Sequence, residues 1–413
     1  MANNDLEIRC PDSASGNTEG FSGYQWNYYS SLEHGPLRSR ADSFLASVNW
    51  AALLEYAAEK NNGVSCMLLS DIGLGYNHMV RIIQFSDGNQ WVARLRLPPL
   101  VESDTSKDAL ETTEIREYST ICFLRQRTRI PTPEIHAIEE RSDCKMKPPF
   151  MLMDCLRGNV GMDLSMTVPP QYKKAFLRDL AKIHVQLSTV LLPKIGTIVS
   201  VNADGSYHQG PIPGLGGPFD TATEFFQAWA NKTKFGMTDE QLREACGPYA
   251  AEIIPSVSSF AKSIGELADT LSVRDDGPFP LCHGDFGHNN IIVDDQYHIL
   301  SVIDWEMAFA GPWEIFGDFP LTLSIIPPAI DAPWNYNEDG SPKSADLVEQ
   351  FADQKWYIEA VKLEENRHQG NTHYLSEALE NPKRQQLATA MRLYQDGNIG
   401  TYSKLKDKFM AQA

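Results

Sequence analysis

Three side chains that could act together in chemistry, two carboxylates and one amide, lie within residues 281–306. This stretch reads LCHGDFGHNNIIVDDQYHILSVIDWE and contains Asp285, Asn290 and Asp304. A carboxylate such as Asp285 can accept the proton of an attacking hydroxyl. An amide oxygen and a second carboxylate are ligands that Mg²⁺ accepts. The residue types and their order therefore predict metal-dependent phosphoryl transfer, with Asp285 as proton acceptor and Asn290 and Asp304 on the metal.

A short hairpin explains the uneven spacing of these three residues. Asn290 follows Asp285 closely, so a single loop can bring its amide back toward the carboxylate. The apolar runs Ile291–Val293 and Ile299–Ile303 flank a turn of polar residues, which predicts two short antiparallel strands. Such a hairpin returns the chain to its starting point, and Asp304 then reaches the same metal from the other side.

Three histidines carry weaker signals. His283 precedes the loop and is predicted to support it, holding Asp285 in place rather than reacting. His288 is predicted to be a solvent-facing loop residue. His184 lies on the apolar face of a predicted helix, which favours a core histidine with satisfied hydrogen bonds.

The first 155 residues predict a small antiparallel sheet with one internal helix. Asp87–Gly88 between two alternating runs is a strong hairpin signal. The predicted strands are Ser65–Leu69, Met79–Phe85, Gln90–Leu97, Ile135–Ile138 and Phe150–Met153. Ser43–Lys60 predicts a preceding helix, and Leu110–Arg127 predicts the internal one.

Beyond residue 158 the apolar periodicity becomes helical. The predicted helices are Gln171–Leu187, Thr221–Ala230, Glu252–Leu271, Ala345–Glu365, Tyr374–Glu380 and Pro382–Asp396. Residues 193–218, rich in glycine and proline, are predicted to form a loop.

Composition and charge limit the classes of partner. The 413 residues carry a net charge of −18, which disfavours binding to nucleic acid or to an anionic membrane surface. We expect no membrane span, because no apolar run approaches the roughly 20 residues that a bilayer requires. The polar N-terminus has no apolar signal core, and the seven cysteines form no CxxC pair, so a cytoplasmic location is expected. The sequence gives no indication of the oligomeric state.

The pattern HGDxxxxN followed by IDWE resembles the aminoglycoside phosphotransferase and choline-kinase-like enzymes, and among them a fungal-type branch. The resemblance spans roughly residues 44–325. It implies an α+β, protein-kinase-like bilobal fold, with a small antiparallel-sheet N-lobe containing one main helix and a larger, mostly helical C-lobe. The expected division is a polar tail over residues 1–38, a nucleotide-binding lobe over 39–155 and a catalytic and substrate-binding lobe over 156–413.

The resemblance also implies ATP as co-substrate, Mg²⁺ as the metal and a set of phosphate contacts. Asp71–Asn77 lies where the family has its nucleotide-covering hairpin, so Gly73 and Gly75 would let the backbone approach the ATP phosphates. Arg94, on the third strand, would contact the phosphates. Glu117, on the internal helix, would hold Arg94.

Further roles implied by the resemblance concern adenine and the catalytic loop. The hinge between the lobes would offer backbone groups of Asp154 and Leu156 to adenine, with Met153 behind them. Asp318 would brace the backbone of the catalytic loop.

Departures from the family and from protein kinases narrow the substrate. The family archetype has lysine where this chain has Arg94, and the protein-kinase loop lysine is replaced by Gly287. No Ala-Pro-Glu element follows Asp304. These differences favour a small hydroxylated molecule as acceptor, such as an aminoglycoside- or choline-like amino alcohol, a sugar or a secondary metabolite. Two alternatives stay open: a non-catalytic nucleotide-binding module with an interaction or regulatory role, and a protein kinase.

Overall fold

The computed structural model describes residues 24–26, 28–100, 107–141, 144–367 and 373–410. Over these residues an antiparallel sheet forms the N-terminal region and helices dominate the C-terminal region. The α+β arrangement predicted with the protein-kinase-like fold, a small antiparallel sheet followed by a larger helical region, is therefore confirmed. None of the helices in these ranges has both the length and the apolar character needed to cross a lipid bilayer.

The N-terminal region is built around a five-stranded sheet. Its strand order is β1-β2-β3-β5-β4, and all neighbouring strands are antiparallel. The elements in chain order are α1 (Tyr28–Ser31), α2 (Pro36–Ser47), α3 (Trp50–Lys60), β1 (Cys66–Leu74), β2 (His78–Phe85), β3 (Gln90–Arg96), α4 (Lys107–Arg127), β4 (Ile135–Glu139) and β5 (Phe150–Asp154).

The predicted hairpin between β2 and β3 positions two arginines. Gly88 takes the positive φ of 92° that the turn requires, and Asp87 accepts a hydrogen bond from the Asn89 backbone. Because side chains alternate across a strand, burial alternates along β3, and Trp91, Ala93 and Leu95 face the core. Arg94 and Arg96 consequently share the opposite face.

The structure departs from the prediction at the start of the chain. Ser43–Lys60 is not one helix, because Val48 adopts extended angles and Asn49 caps a second helix by accepting a hydrogen bond from Ala52 N. Within the range predicted as a polar tail, residues 1–38, the structure has α1 and the start of α2 as helices. Residues 1–23 and 27 of that range lie outside the described residues.

The C-terminal region contains the catalytic stretch and most of the helices. Its elements are α5 (Pro170–Ser188), β6 (Leu191–Leu192), β7 (Thr197–Val201), β8 (Tyr207–Gly210), α6 (Ala222–Lys232), α7 (Asp239–Cys246), α8 (Ala250–Leu271), β9 (Phe279–Cys282), β10 (Ile291–Val293), β11 (Ile299–Val302), β12 (Phe309–Ala310), α9 (Trp313–Phe316), α10 (Ala345–Glu365), α11 (Tyr374–Glu380), α12 (Pro382–Gln395) and α13 (Ser403–Met410).

Several of these elements were not predicted from the sequence. The predicted loop over residues 193–218 contains the hairpin of β7 and β8. Neither α7 nor α13 was predicted. The start of α7 did carry a usable signal, because Thr238 and Gln241 form a capping box in which each side chain pairs with the other's backbone.

Two hydrophobic cores support the two regions. The smaller core joins one face of the sheet to α2 and α3 and includes Phe44, Leu53, Met79, Leu95 and Phe150. The larger core is formed mainly by the C-terminal helices. The second half of α4 also packs into the larger core through Ile121, Phe123 and Leu124, so this helix connects the sheet to the helical region.

Candidate active site

The loop between β9 and β10 brings the predicted proton acceptor and the predicted metal ligand into direct contact. The Asp285 carboxylate oxygen Oδ2 accepts hydrogen bonds from Asn290 Nδ2 at 2.7 Å and from Asn289 Nδ2 at 2.8 Å. Asn290 Nδ2 also donates to the Asp285 carbonyl at 2.9 Å. These bonds orient the Asp285 carboxylate through one oxygen. They also direct the Asn290 amide nitrogen toward Asp285, which leaves the Asn290 amide oxygen for another partner.

His283 joins this loop to the strand that precedes Asp304. Its Nε2 donates to the Ile303 carbonyl at 2.9 Å, and its Nδ1 accepts from the Asp285 backbone N–H at 3.3 Å. The imidazole is 2% exposed, and this burial lowers its pKa. A neutral ring can donate at one nitrogen and accept at the other, as both contacts require. These are the contacts expected of a residue that supports Asp285.

His288 is placed differently from the prediction. It is fully buried rather than solvent-facing, and its ring packs 5.1 Å from that of Phe176. Gly161 lies so close that a Cβ there would come within 2.7 Å of His288 Cγ. The prediction was wrong because the turn at Gly161–Leu164, distant in sequence, covers the catalytic loop.

Asp304 lies beside Asn290, as the predicted hairpin requires. The backbone N–H of Ile303 donates to the Asn290 carbonyl at 2.9 Å, so the residues before and after the hairpin are neighbours. Asp304 itself adopts a left-handed conformation, with φ of 65° and ψ of 54°. Few side chains other than Asn and Asp tolerate this conformation, and such geometry is enriched at functional sites.

Arg94 links the internal helix to Asp304. Its guanidinium forms ion pairs with both Glu117 and Asp304, which confirms the predicted pairing with Glu117. The side chains of Arg94 and Glu117 are 11% and 2% exposed. Burial raises the pKa of the Glu117 carboxyl, and the adjacent guanidinium opposes that rise. Arg94 therefore neutralises one buried carboxylate and also occupies Oδ1 of the predicted metal ligand.

A second arginine forms a network that the sequence analysis did not anticipate. Arg96 forms an ion pair with Glu306, which also accepts a hydrogen bond from Asn77 Nδ2 at 2.9 Å. Glu114 lies 3.6 Å from Arg96 and 3.0 Å from the Nε2 atom of His78. The available signals were the alternation along β3, which puts Arg96 on the face of Arg94, and the position of Glu306 inside the IDWE motif.

One acidic cluster could be mistaken for the metal site. Ligand atoms of His78, Asp304 and Glu306 lie within 4.8 Å of one another. However, Arg94 and Arg96 already pair with the two carboxylates, and His78 pairs with Glu114. The oxygen donors of Asn290 and Asp304 suit a hard cation better than this mixed set.

The predicted phosphate-contacting glycines lie at the end of β1 and in the following turn. Gly73 pairs with Val80 across β1 and β2, and the Gly75 N–H donates to the His78 carbonyl at 2.8 Å. A Cβ on Gly73 would come within 3.3 Å of the Trp26 ring. The group that lies close to the Gly73 backbone is therefore the protein's own N-terminal segment.

The predicted hinge begins in β5. Met153 lies on β5 and is buried. The backbone N–H of Asp154 donates to the Glu134 carbonyl at 2.9 Å, and the Asp154 carboxylate pairs with His136 at 2.9 Å. The Asp154 N–H group is thus already used at the edge of the sheet, and the contact between the Asp154 backbone and adenine stays a prediction.

Asp318 has partners other than those predicted. Its carboxylate accepts hydrogen bonds from Thr389 at 2.6 Å, from Gln385 at 3.2 Å and from Arg392 at 3.2 Å. All three donors lie on α12. Asp318 therefore binds the segment after the catalytic stretch to this helix, and the prediction that it braces the catalytic-loop backbone is wrong.

A large cavity opens beside Asp285. Its volume is about 970 Å³, and its walls combine aromatic and charged side chains. They include Asp285, Glu306, Trp229, Lys232, Arg392 and Asp396. Burial raises the pKa of Asp396, and the nearby Asp285 charge adds to that rise while Arg392 opposes it. The space can hold a polar molecule of considerable size next to the Asp285 carboxylate.

His184 lies beneath the catalytic loop and confirms the predicted core position. It is 3% exposed, donates through Nε2 to the Phe316 carbonyl at 3.2 Å and accepts from the Tyr357 hydroxyl at 3.0 Å. Burial lowers its pKa to about 4. As pH falls, His184 is protonated in the unfolded chain before it is protonated in the folded protein. The free energy of unfolding therefore decreases from about pH 6.5 toward pH 4.

We expect the titration of His184 alone to lower the free energy of unfolding by about 2 kcal/mol when the pH falls from 7 to 5. Urea unfolding of the wild type and of His184→Gln at both values measures this effect. The glutamine side chain can still hydrogen-bond but does not titrate, so its pH dependence should be smaller by about that amount. An identical pH dependence in the two proteins would contradict the assignment.

Several solved structures resemble this chain at low sequence identity. The aminoglycoside phosphotransferase APH(4)-Ia, in a ternary complex with AMP-PNP and hygromycin B, is 19% identical, with coverage of 87% of this chain and 97% of that one and a TM-score of 0.43. Macrolide 2′-phosphotransferase MphH from Brachybacterium faecium is 16% identical, covering 83% and 96% with a TM-score of 0.40. Plasmodium vivax ethanolamine kinase is 13% identical, covering 87% and 86% with a TM-score of 0.42.

No curated protein matches the sequence at a significant level. The sequence does match the phosphotransferase enzyme family, APH, over residues 75–315. The matched range is more than half of the 413-residue chain and contains Arg94, Glu117, Asp285, Asn290 and Asp304. The chain therefore belongs to the phosphotransferase enzyme family, and this membership supports a small-molecule phosphotransferase activity.

Proposed function

We propose that the protein is an ATP- and Mg²⁺-dependent O-phosphotransferase that transfers the γ-phosphate to a hydroxyl of a small molecule. The observation that carries the proposal is the contact between Asp285 and Asn290, with Asp304 adjacent, at the wall of the large cavity. The nucleotide would lie between an N-terminal lobe over residues 39–155 and a C-terminal lobe over 156–413.

The donor atoms suit the proposed metal. Asn290 directs its amide nitrogen to Asp285, so its oxygen can bind a cation. The Oδ1 atom of Asp304 pairs with Arg94, so the second carboxylate oxygen of Asp304 can also bind the cation. Two oxygen donors are typical of Mg²⁺, which usually completes its coordination with water and substrate phosphates. When bound, the metal would neutralise charge on the transferred phosphoryl group.

Asp285 would orient the acceptor hydroxyl and receive its proton. The two asparagine amides hold one oxygen of its carboxylate in place, and the residue lines the cavity where an acceptor would bind. Phosphoryl transfer demands little activation of the nucleophile, so positioning contributes most of the effect. Arg94, next to Asp304, would contact the nucleotide phosphates.

The cavity favours a small hydroxylated acceptor over a protein side chain. It is lined by aromatic and mixed-charge side chains from α6, α12 and the catalytic loop. Aminoglycoside- or choline-like amino alcohols, sugars and hydroxylated secondary metabolites all fit this description.

The test is ADP release from Mg·ATP in the presence of a panel of such acceptors. We expect one acceptor class to stimulate release well above the rate with ATP alone. Excess EDTA should abolish the stimulation, and added Mg²⁺ should restore it. Acceptor-independent release, or stimulation that survives metal removal, would overturn the proposed reaction.

One observation favours a second candidate, a non-catalytic nucleotide-binding module. Arg94 pairs with Asp304 and so competes with a metal for that carboxylate. Such a module would be stabilised against heat by Mg·ATP yet would release no ADP with any acceptor. The enzyme should show both stabilisation and release.

A further inference from the structure

Residues 24–26, called here the cleft segment, bind to the hinge. The Tyr24 hydroxyl donates a hydrogen bond to the Leu156 carbonyl and lies 3.2 Å from Cys155 Sγ. The Gln25 backbone N–H donates to Asn159 Oδ1 at 2.9 Å. Two successive residues, Tyr24 and Gln25, therefore contact the hinge, although they lie more than a hundred positions away from it in the sequence.

The same segment also contacts strand β1 just before the glycine turn. The Trp26 ring lies against Gly73, where an added Cβ would come within 3.3 Å of it. The rings of Tyr24 and Trp26 are 4.8 Å apart and tilted by 42°. The two aromatic side chains together thus extend from the hinge to the strand that precedes the turn.

The Leu156 carbonyl oxygen accepts two hydrogen bonds in this arrangement. Besides the Tyr24 hydroxyl, it accepts the Gly158 N–H at 3.0 Å. A carbonyl oxygen has two lone pairs, so a third donor such as an adenine amino group would find neither available.

We propose that the cleft segment occupies the adenine-binding part of the cleft and that a nucleotide must displace it to bind. This inference rests on the proposed function, because it requires a nucleotide that binds between the hinge and the glycine turn. The segment is then an intramolecular competitor that regulates the same site.

The tether makes such competition effective. Helix α1 begins two residues after Trp26, so the cleft segment stays covalently joined to the N-terminal region beside the cleft. A tethered group competes at a high effective concentration. The apparent nucleotide affinity is reduced by the fraction of molecules in which the cleft is open.

The test measures the affinity of Mg·AMP-PNP by isothermal titration calorimetry for full-length wild type, Tyr24→Phe and Trp26→Ala. Tyr24→Phe removes only the hydroxyl that bonds to Leu156, so the fold is retained. We expect each variant to bind about fivefold more tightly, a change of about 1 kcal/mol. Tyr29→Phe is the matched control, because its hydroxyl contacts Asp42 outside the cleft, and its affinity should equal that of the wild type.

The outcomes separate this inference from the proposed function. Equal affinity in wild type, Tyr24→Phe and Trp26→Ala would overturn the competition while leaving the proposed function intact. Weaker binding by the two variants would also overturn it, since the segment would then be part of the nucleotide site. Nucleotide binding by Tyr24→Phe and Trp26→Ala but not by the wild type would give the strongest support for the competition. No binding by any protein would overturn both proposals.

Discussion

The Asp285→Asn variant is expected to lose turnover by about 100-fold to 10,000-fold while its fold is retained. Asparagine keeps an oxygen that can accept the hydrogen bonds of Asn289 and Asn290, so the loop geometry is preserved. It cannot receive the proton of the acceptor hydroxyl. The measurement is kcat for ADP release at saturating acceptor and Mg·ATP, beside the melting temperature.

The matched control for Asp285→Asn is Asp295→Asn. Asp295 is an exposed residue in the turn of the following hairpin, so its substitution makes the same chemical change away from the cavity. Its kcat should equal that of the wild type. Wild-type kcat in Asp285→Asn, with the melting temperature unchanged, would remove Asp285 from the reaction and would favour the non-catalytic module.

The Arg94→Met variant is expected to lose about 3–5 kcal/mol of unfolding free energy. Methionine replaces the aliphatic part of the arginine side chain but leaves Glu117, only 2% exposed, without its ion pair. Removing one partner of a buried pair is costly because the remaining charge cannot be solvated. Urea unfolding at pH 7 measures the loss, which should be smaller at lower pH, where Glu117 becomes protonated more readily.

A double variant distinguishes loss of the pair from loss of packing. Arg94→Met combined with Glu117→Met replaces both charges by apolar side chains, which is often nearly neutral. We expect the double variant to recover most of the stability that Arg94→Met loses. The unfolding free energy of Arg94→Lys should lie between those of the wild type and of Arg94→Met. Lysine keeps the charge but lacks the forked guanidinium that reaches Glu117 and Asp304 together. A double variant no more stable than Arg94→Met would contradict the ion-pair explanation.

The sequence determined the catalytic cluster because its members are close along the chain. Asp285 and Asn290 are 5 residues apart, and Asp304 follows a hairpin whose turn and strands are local signals. Alternation along β3 likewise places Arg94 on the face opposite Trp91, Ala93 and Leu95, since it depends on the strand alone. Local backbone geometry is sufficient to bring such residues together.

Only the tertiary structure decided which distant groups meet at this cluster. Asn77 and Glu306 are 229 residues apart, and Tyr24 and Leu156 are 132 apart. The partners of Asp318 on α12 and the burial of His288 likewise follow from packing between remote segments. No periodicity or turn signal encodes such contacts, because they depend on how whole elements pack. The sequence thus determined the groups that would do the chemistry, and the packing of remote elements decided what holds them and what lies in the cleft beside them.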